Sequence, residues 1–163
     1  MKSYELGRSQ FVRISNANSD MLRTNCSVPQ GSVFGPLLFL VIVNDISEYI
    51  KSSLYLFSEY TVISYSSKCP YNLHSVLSSD LNNLQSWANL WNISFNAFKT
   101  NVLTISSNAS HHPPLQLANH LLSEVDSHKH LGLIFHRSLS WHTHVVSLYH
   151  KTITRLSVLK ILR

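Results

Sequence analysis

The run Leu54-Tyr55-Leu56-Phe57-Ser58-Glu59-Tyr60-Thr61-Val62-Ile63-Ser64-Tyr65-Ser66 constrains this chain more than any other stretch. Two apolar, β-prone segments flank a short polar step, which is the signature of a tight hairpin with residues 58–60 at its tip. Around it the pattern is mixed. Residues 36–50 predict a helix that opens on Pro36, a favourable first-turn position, and closes on Asn44, Asp45 and Glu48. Beyond Cys69-Pro70, Leu77, Leu81, Leu84, Ala88 and Trp91 recur at three- and four-residue steps, with Asp80, Asn83 and Asn89 away from that stripe. Residues 102–105 predict a strand and 106–114 a loop. Leu115 to Leu117 and Leu121-Leu122 flank Ala118-Asn119-His120 as a second hairpin, and 131–135 predict a further strand. A last helix runs from about Trp141, with Val145, Leu148, Leu156, Leu159 and Leu162 apolar and Lys151 and Arg155 on a solvent side. No repeat is present, and the strict βα rhythm of a doubly wound sheet is missing. The class is α+β.

Length and composition bound what such a chain can do. At 163 residues it is long enough for one domain with a real core. Only 13% of residues are charged against 44% hydrophobic, a deficit that warns of poor solubility or of apolar surface meant to be covered. A net charge of +5 permits attraction to nucleic acid or to an anionic membrane. Cys26 and Cys69 make no disulfide framework and no zinc spacing. The first residues lack the apolar core of a signal peptide, and the longest apolar run, residues 37–43, is far short of the ~20 residues that span a bilayer. That run reads as a buried helix, and the chain as intracellular, nuclear or cytoplasmic, rather than secreted. Ten histidines carry no metal motif: His128 and His130 share a strand face, but neither HExxH nor a cysteine context accompanies them. They read as incidental.

The hairpin resembles the catalytic hairpin of reverse transcriptases of the non-LTR retrotransposon type, whose tip carries Ala-Asp-Asp-Thr. Here the same frame reads Ser58-Glu59-Tyr60-Thr61. Further blocks follow the family in order. Val28-Pro29-Gln30-Gly31-Ser32-Val33-Phe34-Gly35-Pro36-Leu37-Leu38-Phe39 is similar to VPQGSVLGPLLF and departs only at Phe34. Leu84-Gln85-Ser86-Trp87-Ala88, leading to Ser94-Phe95-Asn96 and Lys99-Thr100, resembles the next block. His130-Leu131-Gly132-Leu133-Ile134-Phe135 resembles the palm–thumb block, with His130 where the family has tyrosine. The colinear order, over nearly the whole chain, carries the assignment.

The resemblance implies an RNA-directed DNA polymerase ancestry and a partial palm followed by the start of a helical thumb. Residues 1–163 would form one partial domain, with 1–105 the later palm and 106–163 the palm–thumb junction and thumb helix. Glu59 and Tyr60 occupy the positions of the family's catalytic aspartates. Gln30 and Gly31 occupy its template–nucleotide segment, Lys99 the place of a lysine near the triphosphate, and Lys151 and Arg155 a thumb face that tracks the nucleic-acid backbone. The family uses magnesium, which demands hard oxygen ligands at ~2.1 Å in near-octahedral geometry. Glu59 lengthens one carboxylate and Tyr60 removes the other. Upstream of Gln30 the only carboxylates are Glu5 and Asp20, neither in a context like the family's first motif, DFSKAFD. The expectation is therefore an inactive, truncated copy with no metal and no cofactor. Its expected partner is an RNA or DNA duplex, held weakly and without sequence preference. A membrane is not expected, and self-association through apolar surface left by missing fingers is. The alternatives are a non-catalytic nucleic-acid-binding fragment and a retrotransposon remnant without function.

Overall fold

The computed structural model describes residues 7–24, 31–106 and 113–161, with side chains as far as Val158. The chain forms two units, Met1–Ile46 and Ser47–Arg163.

In the first unit, strands β1 (Ser9–Gln10), β2 (Arg13–Ile14), β3 (Ala17–Asn18) and β4 (Leu22–Arg23) make nested antiparallel ribbons, β1 with β4 and β2 with β3. Ser19 ties the two together. Its backbone amide donates to the Val12 carbonyl at 2.8 Å, and its hydroxyl accepts from the Val12 amide at 2.9 Å. Every residue of these strands is exposed. Helix α1 (Phe34–Val43) follows. The Ser32 hydroxyl, just ahead of it, accepts from the Gly35 amide at 3.1 Å, and the helix begins two residues before Pro36. It also ends earlier than the sequence predicts, at Val43. Asn44 and Asp45, whose short polar side chains compete for the backbone, separate it from a 3-10 turn at Ile46–Tyr49. The larger correction concerns burial: no residue of α1 is buried, and Leu40 and Val41 are 60% and 70% exposed. Two-residue ribbons offer no layer broad enough to cover a helix that is apolar all round.

The second unit holds the core. Strands β5 (Ser53–Phe57) and β6 (Tyr60–Ser64) form the expected hairpin, and helix α2 (Pro70–Leu90) is the expected long helix. Pro70 opens α2 where its missing N–H costs nothing. Asn92, at φ +55°, closes it: the Ile93 amide reaches the Ala88 carbonyl and the Asn92 amide the Asn89 carbonyl, a Schellman arrangement. Leu81, Leu84, Trp87 and Ala88 are buried. Trp91, which the stripe includes, is exposed, because it lies at the cap where the chain turns away. Asp80, set apart from the stripe by its charge, is fully buried.

Beyond α2 a 3-10 turn at Ala97–Lys99 leads to β7 (Asn101–Val102), shorter than the predicted 102–105. Strands β8 (Gln116–Leu117) and β9 (His120–Leu121) make the second expected hairpin, and β8 packs on α2 through the buried Leu115 and Leu117. The intervening loop lies mostly outside the described residues. Strand β10 (Ser123–Glu124) pairs parallel with β7. The single strand predicted at 131–135 is instead a hairpin, β11 (Ser127–His130) and β12 (Leu133–His136), turning at Leu131-Gly132. Both turn residues have positive φ, +48° and +90°, as a primed two-residue turn requires. Helix α3 (His142–Ile161) packs its first turns on β12. The Ile134 amide donates to His144 Nδ1 at 3.4 Å, and Trp141 lies beside Phe135 and His144. From Lys151 to Val158 every residue of α3 is exposed. The whole is α+β, built on paired ribbons rather than one broad sheet.

Candidate functional site

The hairpin tip is the site to which the sequence points, and its geometry is local. Phe57 pairs with Tyr60, so the turn consists of Ser58 and Glu59 alone, and Tyr60 is the first residue of β6 rather than part of the tip. Ser58 takes φ +51°, the left-handed value that a two-residue turn demands at its first position. The Ser58 hydroxyl donates to Glu59 Oε2. That bond, followed by the backbone amide of Glu59 itself, holds the exposed carboxyl below its ordinary value. Glu59 is thus an anion at neutral pH and the one carboxylate of the two-residue turn.

Alternation along the ribbon puts Tyr55, Phe57, Tyr60 and Val62 on one face and Leu54, Leu56, Thr61 and Ile63 on the other. The Tyr60 ring meets the His130 ring of β11 edge to face, with centroids 5.6 Å apart. Two positions that depart from the family pattern therefore touch each other. Sequence reading marks His130 only as a substitution; its contact with Tyr60 follows from the β11–β12 hairpin.

These residues do not fit a magnesium pair. One carboxylate stands at the turn, its partner position carries a phenol packed on an imidazole, and a two-metal clamp needs ions ~3.5–4 Å apart with shared anionic ligands. Among the described residues no three His, Cys, Asp or Glu side chains converge to hold a metal.

Gly31 lies in the first unit at φ +82°, a conformation that strains any side chain. Gln30 lies outside the described residues. Lys99 is exposed at the end of its 3-10 turn, where the Asn96 carboxamide caps its backbone amide at 3.2 Å. Lys151 and Arg155 are exposed one turn apart on α3. Lys160 and Arg163 lie outside the described side chains.

Asp80 is the residue that sequence reading missed. Its Oδ1 accepts from the Lys51 amide at 3.0 Å. Its Oδ2 accepts from the Ser52 amide and hydroxyl at 2.8 and 2.6 Å. It fastens the foot of β5 to α2 and so sets where the hairpin stands. The signal was available, since Asp80 is three residues after Leu77 and four before Leu84. A cleft of about 720 Å³ lies at that foot, floored by Leu73, Leu77 and Leu81; neither Glu59 nor Tyr60 lines it.

The chain belongs to the reverse transcriptase (RNA-dependent DNA polymerase) family, whose pattern matches residues 2–135. It is 30% identical over 153 residues to the probable RNA-directed DNA polymerase from transposon X-element of Drosophila melanogaster, covering 91% of this chain and 17% of that protein. It is also 30% identical over 165 residues to the RNA-directed DNA polymerase from mobile element jockey of Drosophila funebris, covering 96% of this chain and 18% of that protein. The corresponding polymerase from transposon BS of Drosophila melanogaster is 27% identical over 170 residues, covering 98% of this chain and 19% of that protein. The chain therefore spans less than a fifth of the length of these relatives. No solved structure matches it. Membership of the reverse transcriptases of non-LTR retrotransposons is the expectation that the family motifs raised.

Proposed function

We propose that this chain is a polymerase segment that has lost metal-dependent nucleotidyl transfer at its hairpin and retains contact with nucleic acid. Residues 1–105 correspond to the later palm and 106–163 to the palm–thumb junction and thumb helix. Gln30, Gly31 and Lys99 mark the ancestral template–nucleotide side. The observation that carries this reading is the turn itself. Glu59 is its only carboxylate, and Tyr60 is a phenol whose ring rests on His130. Phosphoryl transfer of this kind depends on positioned metal ions for nearly all of its charge stabilisation. Phosphate binding needs only placed cations, so Lys151 and Arg155 outlast the chemistry.

Primer extension tests it in two arms. The chain itself, given magnesium or manganese, extends no primer above a protein-free blank. The second arm separates the turn from chain length. Replacing the turn of an intact jockey polymerase by Ser-Glu-Tyr-Thr lowers its extension rate by at least about a thousandfold, the scale of losing a key electrostatic group. Extension by the chain, or a transplanted turn that works normally, overturns the proposal.

A further inference from the structure

We infer that the face of the β5–β6 hairpin bearing Tyr55, Phe57 and Tyr60 is a stacking platform for the bases of single-stranded nucleic acid. The inference rests on the reading that the chain engages nucleic acid, and it names a part of the molecule and a strand state that cation placement alone does not.

Three observations carry it. First, the three aromatic rings on this face are 59%, 59% and 49% exposed, although the ribbon's position is fixed from its foot by Asp80. Flat rings attract any base through its π-face, at a strength that does not depend on sequence. Second, the spacing suits splayed bases. Tyr55 and Phe57, two residues apart on β5, stand about 6.8 Å apart along the strand, twice the 3.4 Å step of a stacked strand, and Tyr60 flanks Phe57 across the ladder. A duplex keeps its bases stacked and hides their faces, so it cannot use such a row, whereas an extended single strand can. Third, the platform is braced and electrically permissive. The His130 ring, perpendicular to that of Tyr60, holds it before any ligand arrives, so less side-chain freedom is lost on binding. The chain carries a net charge of +5, and Lys51 is exposed two residues before β5, which favours a polyanion over an apolar protein surface. Glu59 opposes this at the turn, and its single charge directs the backbone of the strand toward the foot.

The test compares labelled twelve-nucleotide single-stranded RNA and DNA with a duplex of the same length. Fluorescence anisotropy is measured at several salt concentrations on the whole chain. A peptide nucleic acid twelve-mer, which has bases and no phosphates, is the fourth probe. Wild type is expected to bind both single strands more tightly than duplex, and to bind the uncharged oligomer with little salt dependence. Tyr55→Leu/Tyr60→Leu, which keeps apolar bulk, weakens single-strand binding by roughly tenfold or more and leaves the salt slope unchanged. Tyr55→Phe/Tyr60→Phe, which keeps the rings, stays within about twofold of wild type on the same reasoning. Lys151→Ala/Arg155→Ala does the reverse of the leucine pair, reducing the salt slope and sparing the preference for single strands. Failure of wild type to bind the uncharged oligomer overturns the platform whatever the variants do. Leucine variants that bind single strands as wild type does, with an unchanged urea midpoint, overturn it as well. Binding confined to duplex removes the platform and leaves the proposed function standing. A folded chain that binds no probe removes both.

Discussion

Glu59 owes its ionisation behaviour chiefly to one neighbour, and this is checkable. The Ser58 hydroxyl is the main cause of the lowered carboxyl value, ahead of the backbone amide. Because the folded value lies below the unfolded one, the associated stabilisation is present at pH above the unfolded value and is lost as pH falls through the folded one. Ser58→Ala should move the Glu59 titration, followed by NMR, upward toward the ordinary carboxyl range; an unmoved curve would reassign the effect to the backbone. Asp80 lies at the opposite extreme, buried rather than exposed. Asp80→Ala leaves two backbone amides and a hydroxyl without their acceptor, at a cost on the order of 3 kcal/mol or more. Asp80→Asn keeps one oxygen and should lose roughly half as much by the same argument. Urea denaturation measures both, and a loss below about 1 kcal/mol for the alanine variant would mean that water replaces the carboxylate.

At the scale of elements, legibility followed turn chemistry and periodicity. Hairpin β5–β6 was readable because apolar alternation brackets a polar step, and β8–β9 because Ala118-Asn119 separates two short leucine runs. Hairpin β11–β12 was not read, because Leu131 is a poor residue for φ +48° and only Gly132 signals the turn. Helix α2 was readable along its leucine stripe, yet its charge misled at Asp80: periodicity puts that position inside, and hydropathy argued it outside. The tip was legible as a family position, but the Tyr60–His130 contact joins residues seventy apart in sequence, and no local pattern encodes it. Helix α3 shows the limit differently, since its apolar and cationic positions are both exposed beyond the first turns. Its role is therefore tested by charge. Lys151→Ala/Arg155→Ala should lower the salt slope of duplex binding by about 1.8 if each contacts one phosphate, with equal effect on unrelated sequences. An unchanged slope would exclude α3 from the interface.

Across the whole molecule the dominant physical fact is uncovered apolar surface. Among the described residues eight hydrophobic side chains are buried, four of them on α2 and two, Leu115 and Leu117, in and just before β8, which packs against it. The apolar run of α1 and the outer length of α3 stay in solvent. A sequence does not reveal this, because a leucine's burial depends on what the rest of the fold can lay over it. Soluble monomers rarely tolerate contiguous apolar patches beyond a few hundred Å², and with so few charges there is little repulsion to keep copies apart. The chain on its own should therefore self-associate as concentration rises. Sedimentation velocity on wild type and two variants identifies the surface responsible. Leu40→Glu/Val41→Glu places charge on α1, and Val145→Glu/Leu148→Glu places it on α3. All four positions are exposed, so each substitution should cost within about 0.5 kcal/mol, and a change in association reflects the surface rather than the fold. The helix that is apolar all round presents the more continuous patch. The α1 pair is accordingly expected to hold the chain monomeric at concentrations where wild type and the α3 pair have associated. Association that persists in the α1 pair and vanishes in the α3 pair would transfer the contact to the last helix, and a wild-type chain that stays monomeric throughout would show that α1 is covered in solution.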